Sequence, residues 1–193
     1  MPHDERFLQA MRTACHDLRT PLAVVSGFAK TLGRTKLEPP VDRHVKMIVE
    51  ASEQLEELLD ELAILVSIEG GRFDPHLDEI DSLALARAAA AELDPGRVEV
   101  SGEGQTVRVP ENETRRAIRQ LSRAASRHGG IDSVELAVDG ATVRISPITR
   151  SSAPVLLGED AKELGPVAAS SLIRALGGTV EAEDDALIVR LPS

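Results

Sequence analysis

Two long runs of helically spaced apolar residues, divided by a pair of prolines, constrain this chain more than any other feature. From about Arg6 to Arg34, Met11, Cys15, Leu18, Leu22, Val25, Ala29 and Leu32 fall on one stripe of a wheel turning about 100° per residue. The periodicity predicts a helix ending near Lys36, because the paired prolines of Leu37-Glu38-Pro39-Pro40 cannot continue a helix interior. A second helix is expected from about Val41 to Ser67. Its Val41, Val45, Ile48, Ala51 or Ser52, Leu55, Leu58, Leu62 and Leu65 step by three and four. Two helices joined by a short turn make an antiparallel hairpin. Such a hairpin leaves apolar side chains partly wet, at ~1.5–3 kcal/mol for each one. Pairing of two copies into a four-helix bundle is therefore expected.

At 193 residues the chain holds one large domain or two small ones. The apolar fraction of 42% and charged fraction of 28% are those of an ordinary globular protein. No apolar run approaches the ~18 residues of a membrane span, and the first residues have no signal-peptide profile, so a cytoplasmic location is expected. Cys15 is the single cysteine and excludes an internal disulfide; on the seam side of its helix it reads as a small buried residue. A net charge of −10, no Trp, no Tyr and three Phe argue against nucleic acid, since cationic footprint and stacking platforms are both missing. A protein partner is expected instead. Glu50, Glu53, Glu56, Glu57, Asp60 and Glu61 read as a solvated face of the second helix, since no His or Cys joins them at metal-ligand spacing.

Gly70-Gly71 should stop the second helix, with Arg72-Phe73-Asp74-Pro75 as a linker between domains at 1–70 and 76–193. Asp81-Ser82-Leu83 opens an alanine-rich helix reaching Leu93, with Asp94-Pro95-Gly96 as its terminator. Short strands are expected at Val98–Val100 and Thr106–Val109, around Gly102-Glu103-Gly104. Asn112 is placed to cap a helix from Glu113 to about Arg127, ended by Gly129-Gly130. Asp139-Gly140 marks a hairpin between Val134–Val138 and Ala141–Ile145. A loop with Pro147 and Pro154 precedes a helix from about Gly165 to Leu176, and Thr179–Glu181 with Leu187–Leu191 closes the chain as a hairpin. The fold class is α+β, a helical hairpin followed by helices on one face of a mixed sheet.

His16 lies about 160° from Leu18 on the wheel, and Thr20 lies near it one turn on, so an imidazole is held out to solvent. The other histidines, His3, His44, His76 and His128, read as ordinary core or surface residues. The segment His16-Asp17-Leu18-Arg19-Thr20-Pro21-Leu22 resembles the phosphoacceptor box of sensor histidine kinases, including the interior proline that bends the helix past the His. That resemblance implies a homodimer with His16 as nucleophile through Nε2, Asp17 orienting its ring, and Thr20 able to orient water for receiver dephosphorylation. Arg12 and Arg19 flank the His16 face and either balance phosphate charge or are simply solvated. The small residues Thr20, Ala23 and Gly27 form a strip against which a receiver domain could dock, or an exposed neutral patch.

The order of elements after residue 76, and the ending ALGGTVEAEDDALIVRLP, resemble the ATP-binding domain of the same kinases. Three of that family's features are missing. Ala124 stands where an asparagine helps hold Mg²⁺; Ser146-Pro147-Ile148-Thr149-Arg150 replaces an adenine-reading aspartate and its glycines; Leu164-Gly165-Pro166-Val167 keeps a single glycine of the phosphate lid. A His-bearing dimeric bundle joined to a degenerate ATPase domain is similar to the bacterial histidine phosphotransferases of phosphorelays. The resemblance implies transfer of a phosphoryl group between receiver aspartates, with ATP binding lost, Mg²⁺ supplied by the receiver, and no metal or cofactor of its own. A kinase with a shifted ATP site, a receiver phosphatase and a non-catalytic adaptor are the alternatives.

Overall fold

The computed structural model describes residues 2–94 and 96–192, with side chains from Glu5 onward. Pro95, in the expected terminator, and the side chain of His3 lie outside the described residues. The chain divides into two units, Met1–Arg72 and Phe73–Ser193.

The first unit is a helical hairpin. Helix α1 spans Pro2–Gly33 and α2 spans Val41–Glu69. Pro21 sits inside α1 without ending it, and its missing N–H leaves the carbonyl of Asp17 without its helical donor. Helix α1 ends at Gly33, three residues before the expected Lys36. Helix α2 stops at the glycine pair: Gly71 takes a φ of +61°, and the Arg72 N–H returns to the Ser67 carbonyl at 3.0 Å.

Each apolar stripe divides into two faces. Cys15, Ser26 and Ala29 of α1 and Val45, Ser52 and Val66 of α2 are buried in the hairpin seam. Leu18, Val25 and Leu32, seven residues apart, remain exposed, as do Val41, Ile48 and Leu55 on α2. Single-helix spacing merges these faces, because residues three and four apart both fall within one broad stripe. Glu61, expected on the solvated face, is instead buried. Two full turns beyond Glu53, its position has drifted onto the seam, whereas Glu53 stays outside and pairs with Lys30 at 3.1 Å.

The second unit carries a five-stranded mixed sheet in the order β2-β4-β5-β7-β6, with β2 Val98–Gly104, β4 Val134–Gly140, β5 Thr142–Ser146, β6 Thr179–Glu183 and β7 Ala186–Arg190. Helices α3 Ser82–Ala91, α4 Glu111–Gly129 and α6 Leu164–Ala175 bury Leu85, Ile118, Leu121, Leu172 and Ile173, while the strands bury Leu136, Ile145 and Leu187. Strand β4 alternates with period two, Val134, Leu136 and Val138 being buried. The β6–β7 hairpin is tied by Arg190, which bonds Glu181 and Glu183 across the strands; both carboxylates push its guanidinium pKa up.

Three local expectations are corrected. A strand β1, Asp78–Asp81, pairs antiparallel with β3, Thr106–Val109, as a separate two-stranded ribbon. Strand β2 therefore does not pair with β3; it runs parallel to β4, and Gly102 at φ +98° lets the Val138 carbonyl approach where a Cβ would stand 1.9 Å away. Asn112 is not a cap: α4 starts at Glu111 behind Pro110, whose fixed φ suits the position, and Asn112 accepts from Arg115 at 3.1 Å. A fourth short helix, α5 Ala153–Leu156, occupies the expected loop. Helix α3 does open at Asp81, whose carboxylate accepts from Ala84 N–H at 2.8 Å. Beside that cap the buried Ser82 hydroxyl donates to the Gly140 carbonyl and accepts from the Gln105 N–H, joining helix, ribbon and sheet.

Candidate functional site

Helix α1 presents His16 midway along its length. The side chain is 83% exposed, and Nδ1 lies 3.3 Å from Oδ1 of Asp17, itself 70% exposed. Neighbouring residues on a helix point about 100° apart, so this pairing needs the Asp17 side chain to bend back along the surface. It selects the tautomer in which Nδ1–H donates to the carboxylate and the Nε2 lone pair points into water. Nε2 meets no partner among the described residues.

Beside the ring is a shallow surface depression of about 480 Å³, lined by His16, Arg19, Thr20, Ala23 and Val24. Four of these follow from the sequence reading. Val24 does not, although its position four residues after Thr20 was the signal for it. Gly27 lies beyond the depression, and a Cβ built on it meets nothing within 4 Å. Arg19 reaches across the hairpin to Asp60 of α2 at 2.7 Å, so its charge is partly committed to an ion pair that the sequence did not reveal. Arg12 is turned away: its guanidinium lies beside Gly70, 3.2 Å from where a Cβ there would stand, at the carbonyl end of α2 that favours a cation.

In the second unit, Ala124 is fully buried within α4. The loop from Ser146 to Ser152 folds on itself: Ser152 Oγ accepts from the Thr149 N–H and donates to the Thr149 carbonyl, both at 3.0 Å, and the chain passes directly into α5. Ahead of α6, the Glu163 carboxylate takes the Arg127 guanidinium at 2.6 Å and the His128 Nε2–H at 2.8 Å. The segment before Gly165 is thereby fastened to α4, with one acidic group bound to both the Arg127 guanidinium and the His128 ring.

Residues 8–71 match the His Kinase A (phospho-acceptor) domain. That stretch is similar to the phospho-acceptor domain of histidine kinases. The chain's fold is similar to full-length ShkA in complex with AMPPNP, at 21% identity and a TM-score of 0.66 over 94% of this chain and 44% of that one. It is also similar to the histidine kinase AdeS of Acinetobacter baumannii, at 17% identity and a TM-score of 0.57 over 92% of this chain and 98% of that one. The chain thus spans less than half the length of ShkA. At these identities the likeness is one of fold. No curated protein matches the chain in sequence. Among the described residues, no helix is long and apolar enough to cross a membrane.

Proposed function

We propose that this histidine kinase-like chain is a histidine phosphotransferase, passing a phosphoryl group between the aspartates of receiver domains through His16. The observation that carries the reading is the exposed imidazole whose Nδ1 is engaged by Asp17 and whose Nε2 is open. Nε2 attacks the phosphorus of a receiver acyl phosphate; an N–P bond forms, the P–O bond breaks, and the receiver aspartate leaves as a carboxylate. The ring becomes a phosphorylated imidazolium, and Asp17 stabilises its positive charge through Nδ1–H. The reverse sequence loads a second receiver. In this reading the receiver brings the Mg²⁺ and docks over Thr20, Ala23 and Val24, with Arg19 at the edge of the phosphoryl group.

The second unit supports a source of phosphate other than ATP. In this reading a buried methyl at Ala124, a self-capped loop at Thr149–Ser152 and the Glu163 carboxylate on Arg127 and His128 take the places that the resemblance gives to metal, nucleotide and lid. The exposed heptad face of Leu18, Val25, Leu32, Val41, Ile48 and Leu55 supports a homodimer. Thr20 on the same depression as His16 favours a second role, orienting water for receiver dephosphorylation.

The test offers the purified chain a ³²P-labelled receiver, or labelled ATP with Mg²⁺. Label should pass to the chain from the receiver alone, and H16Q should abolish it. Label acquired from ATP would instead establish a kinase, and label from neither source would leave a phosphatase or adaptor.

A further inference from the structure

Helix α4 carries Arg115, Arg119, Arg123 and Arg127, four guanidinium groups at successive four-residue steps. Like charges at that spacing cost a helix roughly 0.2–0.5 kcal/mol per pair, so the ladder works against the element that bears it. It also runs against a chain of net charge −10.

Three rungs, Arg119, Arg123 and Arg127, line a cavity of about 490 Å³ between α4 and the segment joining α3 to β2, and Arg97 faces them from that segment. Glu92 and Asp94 are the carboxylates in the wall. Glu92 is shared between Arg119 and Arg115, the latter outside the cavity, and Asp94 pairs with Arg97 at 3.7 Å. Arg127 is held by Glu163, which is not in the lining. Arg123 has no hydrogen bond or ion pair among the described residues. Leu93, Ile131 and Val134 supply an apolar wall. The volume is that of a small-molecule site, and positive charge exceeds negative within it. None of Ala124, Ser146–Arg150 or Leu164–Val167 contributes to the lining, so this is not the place where the kinase fold would hold ATP.

We infer that this cavity binds a small phosphate-bearing molecule through a diphosphate group held by Arg123 and Arg97. Guanidinium groups bind phosphate oxygens in pairs of parallel hydrogen bonds. The apolar wall leaves room for an organic body beside the charge.

Isothermal titration of the full chain with inorganic pyrophosphate at low salt tests this. Saturable binding at one site per chain is expected, weakened about tenfold or more by R123Q and by R97Q, and unchanged by R190Q on the far hairpin or by H16Q. R97Q, on a loop, carries the test should R123Q fail to fold. Absence of saturable binding up to about 10 mM, retention of binding in R123Q and R97Q, or equal weakening by R190Q would each overturn the inference. Tighter binding of an acidic peptide through the same arginines would overturn it too, in favour of a protein occupant.

Discussion

The proposed mechanism makes His16 and Asp17 act as a unit through one contact, the 3.3 Å approach of Nδ1 to a carboxylate oxygen. Both groups are largely exposed, so the pair adds little to stability, in line with surface ion pairs worth ~0–1 kcal/mol. Its consequence in the proposed mechanism is chemical: a carboxylate accepts only, so it favours the tautomer with the proton on Nδ1. D17N keeps the shape but lets the amide present a donor or an acceptor, and it no longer compensates the imidazolium. Phosphotransfer from a labelled receiver should fall by about 10²-fold while thermal stability stays nearly constant. A D17N chain that transfers at the original rate would remove Asp17 from the mechanism. The sequence alone placed His16 outward, because its helical phase opposes Leu18. It did not show that Arg12 turns to the end of α2, since the direction of a long side chain depends on what the partner helix offers.

At the scale of elements, the proposal that the chain draws its phosphate from a source other than ATP rests largely on α4. Ala124 is fully buried, as are Leu121 and Ala125 on the same helix. Restoring the asparagine with A124N inserts extra volume and an amide without arranged partners, costing about 1–3 kcal/mol. Urea unfolding should report that loss, and labelled ATP should still fail to label His16. Label appearing would mean that one side chain was the whole deficit. Much of this architecture was legible: apolar periodicity gave α1 and α2, Asp139-Gly140 gave the β4–β5 hairpin, and Asp81 gave the start of α3. The β1–β3 ribbon was not, because Asp78-Glu79-Ile80-Asp81 carries one apolar residue and pairs with a segment some 28 residues away by its register. Nor was the role of Glu163, whose partners Arg127 and His128 lie 36 and 35 residues distant in sequence. Such pairings are made by topology, which composition and local spacing do not encode.

At the scale of the whole molecule, the exposed heptad face argues for assembly. Leu18, Val25 and Leu32 alongside Val41, Ile48 and Leu55 leave more apolar surface than an isolated hairpin stabilises well. V25E combined with I48E should convert a dimer to a monomer by light scattering and lower the melting temperature, since two buried carboxylates would face their copies. A monomeric parent chain at micromolar concentration would contradict the assembly. The seam within each hairpin deepens this dependence. Beside Val45 and Val66, its buried side chains Cys15, Ser26, Ala29 and Ser52 are small, so α1 and α2 hold each other through modest volume. Copy number then becomes a control variable: at low concentration the helix that bears His16 would loosen, and the number of firmly held imidazoles would rise more steeply than the amount of protein made.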